Sequence, residues 1–215
     1  MKIGSRNIDA VIFDLDGTLY SLKRLKFRIA LRNSGYIRFF MALHKVRKDL
    51  AGLDLKSKKA FYTLFLKKMA ESTGKNSESI REWYFDIFYK GFISILSEKY
   101  KKRDGLDSVL IKIRDDGIKT AVLSDFSFVK DRLGALSINP AYFDFIGSNE
   151  DYGALKPSPR PFVAISKKMN ISPESILVVG DRDDTDGAGA EKAGMGFYNV
   201  GDNADWTAFC DAVLK

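Results

Sequence analysis

An α/β fold is predicted for this chain: a parallel sheet covered on both faces by helices, with an all-helical unit inserted near its start. Three observations predict it. An apolar run at positions 10 to 13 leads straight into Asp14 and Asp16, as a buried strand delivering carboxylates to a sheet edge would. After Gly105, short apolar stretches alternate with helix-length segments, the pattern of parallel strands joined by crossovers. Between these parts, residues 20–104 hold 21 Lys and Arg against 8 Asp and Glu, while the rest of the chain holds 14 against 20. Charge thus divides along the chain between two physical units.

The elements follow in order. The first strand is Ala10–Phe13. In the basic unit, Phe39, Phe40, Leu43, Val46 and Leu50 recur at helical spacing, as do Phe61, Leu64, Phe65 and Met69, and then Trp83, Ile87, Phe88, Phe92 and Leu96. Gly52 and the Gly74-Lys75-Asn76 stretch read as breaks between these helices. Packed helical core is the reading of the aromatic stripes. Beyond Gly105 a helix covers Val109 to Ile113, a strand runs from Lys119 to Leu123 and closes on Ser124-Asp125, and a helix starts near Val129. A strand over Phe143–Gly147 comes next. A helix over Pro161–Met169, with proline in its first turn, precedes the strand Ile176–Gly180. A helix over Ala188–Ala193 stops at Gly194, Phe197–Val200 forms the last strand, and Cys210 packs in a C-terminal helix beside Trp206 and Phe209. The resulting organisation is a Rossmann-like three-layer core from 1–19 and 105–215, with the helical insert at 20–104.

Composition narrows the function. With 215 residues and 45% apolar content the chain is long enough for a real core and is not disordered. No apolar run approaches a membrane span and Met1 to Arg6 lacks the apolar region of a secretion signal, so no membrane partner is expected. The single cysteine, Cys210, has no internal partner, which points to a cytoplasmic, reducing setting. His44 is the one histidine, so no His/Cys zinc cluster can form and any metal is held by oxygen. His44 itself would serve as an acid or base only if it faced the cleft. The basic insert is open to three uses: a solvated surface, steering of anions, or nucleic-acid binding, of which nucleic acid is not expected as a partner.

Polar residues gather at strand ends. Asp14 and Asp16 follow the first strand, Ser124 ends the strand of Val122 and Leu123, and Asp181 opens the loop Asp181-Arg182-Asp183-Asp184-Thr185-Asp186. Such strand ends are where open α/β sheets place their sites. Carboxylates so close must protonate or bind a cation, and with oxygen donors that cation is Mg2+. Lys156, flanked by prolines in Leu155-Lys156-Pro157-Ser158-Pro159, is held out of regular structure and can neutralise both a nucleophilic Asp and a phosphoryl group. These groups suit phosphoryl transfer. Asp14 is the candidate nucleophile, Asp16 the acid and base, Ser124 a phosphoryl hydrogen-bond donor, and Asp181 with Asp186 the metal carboxylates. Gly17, Thr18 and Asp125 complete the candidate phosphate-binding set.

Here the sequence resembles the haloacid dehalogenase-like hydrolases, mostly phosphatases. Asp14-Leu15-Asp16-Gly17-Thr18 is similar to their first motif, Ser124 to the second, Lys156 with Pro157 and Pro159 to the third, and the 180–186 loop to the acidic fourth. The resemblance implies an aspartyl-phosphate on Asp14, a side-chain oxygen of Asp14 and the backbone carbonyl of Asp16 on the metal, and a mobile helical C1 cap at 20–104 that sets specificity. A basic cap would then bring cations to a phosphorylated substrate, with Lys23, Arg24, Lys26, Arg28, Arg47 and Lys48 as candidates. Two departures stand out. Asp125 occupies a position where the family often has Asn, and either adds charge near the phosphate or caps a helix. Asp184 competes with Asp186 as the further metal carboxylate, with Asp186 favoured by spacing and by Gly187.

The expected function is a Mg2+-dependent phosphomonoester hydrolase acting on a small soluble phosphorylated metabolite. On the same fold a haloacid dehalogenase would need neither the metal nor Asp16, a phosphonatase would need a marked cap lysine, and a phosphomutase would share the whole catalytic set. In another class, the basic unit would bind nucleic acid or another anion without catalysis. Substrate identity and oligomeric state are left open.

Overall fold

A computed structural model describes residues 2, 3 and 6–215 of the chain. Met1, Gly4 and Ser5, part of the opening stretch read for a secretion signal, lie outside the described residues. Two short strands, β1 (Lys2–Ile3) and β2 (Arg6–Asn7), pair antiparallel ahead of the core.

The core is one parallel five-stranded sheet of β3 (Ala10–Phe13), β4 (Lys119–Ser124), β5 (Phe145–Ser148), β6 (Ile176–Gly180) and β7 (Gly196–Asn199), in the order β5-β4-β3-β6-β7. Helices α6 (Leu106–Asp115), α7 (Val129–Ala135), α8 (Arg160–Met169), α9 (Ala188–Lys192) and α10 (Asn203–Leu214) connect and flank it. Every residue of β3 and β6 is buried, as strands covered on both faces require. Their side chains alternate between two apolar clusters: Val11, Phe13, Leu177 and Val179 on one face, Ala10, Ile12, Ile176 and Val178 on the other. The expected Rossmann-like architecture is present. The fifth strand starts later than expected, at Phe145, because a short 3-10 turn over Pro140–Tyr142 intervenes and Asp144 is spent accepting from the Thr120 N–H at 2.8 Å.

Between β3 and α6 lie the helices α1 (Leu25–Arg32), α2 (Ile37–Leu50), α3 (Lys58–Thr73), α4 (Ser77–Glu82) and α5 (Tyr89–Lys99), the inserted helical cap. Ser57 and Asn76 cap α3 and α4 by accepting N–H bonds, and Gly74 ends α3 in the left-handed region. The third aromatic stripe departs from strict helical spacing. Trp83–Phe88 winds as a π-helix between α4 and α5, with the Tyr89 N–H donating to the Tyr84 carbonyl. That extra residue in the turn buries Tyr84 and Tyr89 together and leaves Ile87 only half-buried. The apolar cluster under the cap is continuous with one face of the sheet.

The two chain crossings into the cap are tied to each other and to the core. Tyr20 and Lys102 form an antiparallel bridge, and the Arg103 N–H donates to the Leu19 carbonyl at 2.8 Å. On the far side the loop after α2 rests on the core: Leu55 N–H donates to the Gly153 carbonyl at 2.9 Å. Gly153 has φ of +72°, and a Cβ there would meet the backbone of Ser57 at 2.5 Å, so only glycine fits this approach. Among the described residues no helix is long and apolar enough to cross a membrane.

Candidate active site

Register builds the site. Phe13 pairs with Val122 on one side and Val179 on the other, so the residues just past these three positions leave the sheet at one edge. Asp14 follows Phe13 directly, Ser124 ends β4 two places past Val122, and Asp181 stands two places past Val179, while the order of the strands reverses at β3, where open α/β sheets form their crevice.

Asp14 is nearly buried, with its N–H donating to the Val179 carbonyl at 2.9 Å. Its Oδ1 accepts from Lys156 Nζ at 2.5 Å and its Oδ2 from the Thr18 hydroxyl at 3.1 Å. Lys156 Nζ also donates to Asp186 Oδ1 at 2.6 Å and to the Leu123 carbonyl at 3.3 Å. Burial pushes the Asp14 carboxyl well above the usual range, Lys156 opposes this, and the charges of Asp186 and Asp16 add to it. Lys156 shows the converse: burial disfavours its charge, but Asp14 and Asp186 outweigh burial and keep it protonated.

Asp14, Asp181 and Asp186 each offer a carboxylate oxygen, all within 4.8 Å of one another. Two glycines allow this. Gly17 has φ of +99° and a Cβ on it would lie 2.1 Å from Asp181 Oδ2, while a Cβ on Gly180 would lie 2.5 Å from the Asp186 side chain. Burial, then the charge of Asp186, pushes Asp181 up to about 6. One lysine against three carboxylates leaves excess negative charge in a buried place, and a hard divalent cation with oxygen ligands answers it. The donor set therefore fits a hard divalent cation, with Asp14, Asp181 and Asp186 as the side chains that would hold it. Asp184 is elsewhere: it is exposed and accepts from Arg182 at 3.0 and 2.6 Å.

Asp16 lies in a clamp that sequence reasoning missed. Its Oδ1 accepts from the Tyr20 hydroxyl at 2.5 Å and from Arg132, and its Oδ2 from the Ser124 hydroxyl at 2.8 Å. Arg132 is fully buried, donates to Ser124 Oγ at 2.9 Å, and lies 4.6 Å from the centre of the Phe92 ring in the cap. Burial alone would raise the Asp16 carboxyl, but the charge of Arg132 and the three hydrogen-bond donors bring it below the usual carboxylate range. A signal for Arg132 existed in the sequence: it interrupts the apolar stripe of Val129 and Leu133 in α7 and Leu136 just after it.

Asp125 adds no bond to the nucleophile and caps no helix. Its Oδ1 accepts from Asn149 Nδ2 at 2.7 Å and from the Lys156 N–H at 3.0 Å, bracing the loop that presents the lysine. Arg103, also missed, fixes the nucleophile loop through the Gly17 carbonyl at 2.8 Å and the Val200 carbonyl at 2.9 Å.

The cationic cap residues are placed as follows. Lys23, Arg24, Lys26 and Lys48 are exposed, as is His44. Arg28 donates to the Lys99 carbonyl at 3.3 Å and lies over the Tyr100 ring. Arg47 is turned into the boundary between cap and core, where it donates to Glu150 Oε1 at 2.5 Å and the Asp125 carbonyl at 2.5 Å and lies 3.8 Å from the Phe126 ring centre. Glu150 is fully buried and also accepts from Tyr84 at 2.7 Å, Tyr62 at 2.6 Å and Ser127 at 2.6 Å. The π-helical winding is what lets Tyr84 and Tyr89, five residues apart, share this carboxylate. Arg47→Met is expected to lower stability by about 3–5 kcal/mol by leaving Glu150 buried without its cation. Thermal melts check this: an unchanged melting temperature with a raised KM would place Arg47 on the substrate instead.

Comparison with known proteins gives the family and the fold. A family model described as haloacid dehalogenase-like hydrolase matches residues 8–194. Glyceraldehyde 3-phosphate phosphatase of Methanopyrus kandleri is 26% identical over 206 residues, covering 87% of this chain and 82% of its own. Phosphoglycolate phosphatase of Aquifex aeolicus is 28% identical over 178 residues, covering 80% and 76%. In structure, the chain is similar to an HAD phosphatase from Thermococcus onnurineus, with a TM-score of 0.62 at 20% identity over 91% of this chain and 87% of that one.

Proposed function

The chain belongs to the haloacid dehalogenase-like hydrolases, and from that premise we propose that it is a Mg2+-dependent phosphatase of small phosphorylated metabolites that works through an aspartyl-phosphate. The observation that carries this is the division of labour between Asp14 and Asp16. Asp14 stands with Lys156 and the metal carboxylates, while Asp16, two positions on, is held apart by Arg132, Tyr20 and Ser124. A dehalogenase needs a nucleophilic aspartate but has no use for a second carboxylate as acid and base. A phosphomutase would share the set, and a phosphonatase would require a cap lysine in the cleft.

In the reaction Asp14 attacks phosphorus in line, the bond from phosphorus to the leaving oxygen breaks, and Asp16 delivers a proton to that oxygen. Water then attacks the aspartyl-phosphate, Asp16 takes its proton, and the bond to Asp14 breaks to release inorganic phosphate. Lys156 and the Ser124 hydroxyl hold phosphoryl oxygens, with Gly17 and Thr18 shaping the loop beneath them. Mg2+ would neutralise the equatorial oxygens and the repulsion between Asp14 and the incoming dianion. Ser124 has one proton to give, now on Asp16 Oδ2; a bound phosphoryl group takes that bond and frees Asp16 toward the leaving group. The cation of Arg132 suits Asp16 to its role as base. For the acid step Asp16 takes up a proton as the phosphate dianion approaches and Ser124 withdraws its bond, both of which raise its affinity for a proton. The proton it later takes from water returns to solvent when the clamp re-forms.

The names of the relatives support a short, anionic substrate. Substrate steering would draw on the exposed cap cations Lys23, Arg24, Lys26 and Lys48, with no nucleic acid or membrane required by the chemistry and a cytoplasmic setting fitting a soluble metabolite. The test is phosphate release from a panel that includes phosphoglycolate and glyceraldehyde 3-phosphate, with and without chelator. Release that depends on Mg2+ supports the reading, and activity on haloacids without metal overturns it. Acid should also weaken Mg2+ binding: below the pKa of about 6 held by Asp181, that carboxylate is protonated and loses the cation. Calorimetric titration at pH 5 to 8 should show affinity rising with pH through that value in the wild type and losing this step in Asp181→Asn.

A further inference from the structure

The start of the cap carries exposed apolar side chains among many cations, with nothing packed over them among the described residues. Phe27 and Leu31 in α1 are 67% and 64% exposed, and Ile37 and Met41 in α2 are 47% and 66% exposed. Each pair is one helical turn apart. The packed stripes are Leu25 and Ile29 in α1, and Ala42, Leu43 and Val46 in α2. Phe27 and Leu31 follow Leu25 and Ile29 by two residues, about 200° round the helix, so they lie on the outward side. Met41 stands in the same relation to Leu43.

Charge identifies what would cover this surface. Residues 17–48 contain nine Lys and Arg and no Asp or Glu. Lys23, Arg24, Lys26, Arg38, Lys45 and Lys48 have no carboxylate partner among the described residues. A second copy of the same face would bring like charges together, at a cost that rises as the apolar groups exclude water. Single-stranded nucleic acid is held by stacking on aromatic faces, whereas three of the four side chains are aliphatic. Bulky exposed apolar side chains interspersed along the chain with exposed lysine and arginine match an anionic lipid surface, where the former enter the acyl boundary and the latter meet the headgroups.

We propose that α1 and the first turns of α2 dock the cap reversibly on an anionic membrane surface. Such docking needs no spanning helix. It departs from the expectation of no membrane partner, which rested on the lack of a span-length apolar run and of a secretion-signal core, neither of which bears on surface docking.

Flotation of the full chain with phosphatidylcholine vesicles, alone or with about a third phosphatidylserine, tests this. Binding is expected to the anionic vesicles only and to weaken when salt rises from about 0.1 M to 0.5 M. Phe27→Asp with Met41→Asp should reduce partitioning at least about tenfold, and Lys26→Glu or Lys45→Glu about fivefold each. Melting temperature and turnover of an aryl phosphate should be unchanged in the Phe27 and Met41 double variant, since neither residue touches the site. Equal partitioning to both vesicle types, or of wild type and double variant, overturns the proposal. A concentration-dependent dimer that the double variant abolishes, without vesicle binding, assigns the surface to a second copy. RNA binding without vesicle binding assigns it to nucleic acid.

Discussion

Asp14→Asn is expected to lower turnover of an aryl phosphate by about 10⁴-fold or more, because it removes the nucleophile rather than one of several supports. The fold should survive. Asparagine keeps the shape of Asp14: its Oδ1 can still accept from Lys156, which lies 2.5 Å from the Asp14 Oδ1, and its Nδ2 can donate to the Thr18 hydroxyl oxygen, which lies 3.1 Å from the Asp14 Oδ2. Burial and the neighbouring carboxylates already disfavour the charge of Asp14, so the neutral residue relieves repulsion in the metal-free protein. Thermal melts without metal should therefore show Asp14→Asn at least as stable as wild type. Full activity in this variant would remove Asp14 from the reaction.

Asp16→Asn is the second large effect, on the order of 10²–10⁴-fold in kcat, the range of a lost acid and base. Its form is more telling than its size. A leaving group that departs without a proton can still be expelled, so an aryl phosphate should give a burst of one equivalent of phenol followed by a stall. A poor leaving group, such as an alkyl phosphate, should lose both the burst and the steady state. Equal burst and steady-state rates in wild type and variant would remove Asp16 from both steps. The variant also leaves the fully buried Arg132 without its carboxylate, so its fold needs checking by circular dichroism. Arg132→Lys gives a second reading of the clamp: it keeps the charge but is shorter and lacks the fork that serves Asp16 and Ser124 together, and should lower kcat more than it raises KM.

The residues that the sequence made legible are those whose position follows from strand register alone. Asp14, Ser124 and Asp181 follow apolar runs, and three aligned strands carry them to one edge. Spacing favoured Asp186 over Asp184, and Asp186 is the one beside Lys156. The partners of Asp16 were not legible, because Arg132 reaches it from a helix 116 residues away and only the tertiary fold brings them together. Arg47 illustrates the same limit. Its charge suggested a substrate contact, but the sequence does not show that Glu150, 103 residues on, is buried and needs a cation. Periodicity failed in one place, at Trp83–Phe88, where a π-helical turn puts Tyr84 and Tyr89 on one side and Ile87 partly out.

The central claim is that a phosphoryl group is carried on Asp14 before water receives it. Reacting the Asp16→Asn variant with an aryl phosphate and Mg2+, quenching in acid and sequencing the digested protein by mass spectrometry tests it most directly. A phosphate adduct on the peptide containing Asp14, absent when Asp14 is also changed to Asn, is the predicted result. Stoichiometric release of phenol with no adduct on Asp14, or an adduct on another residue, would contradict it.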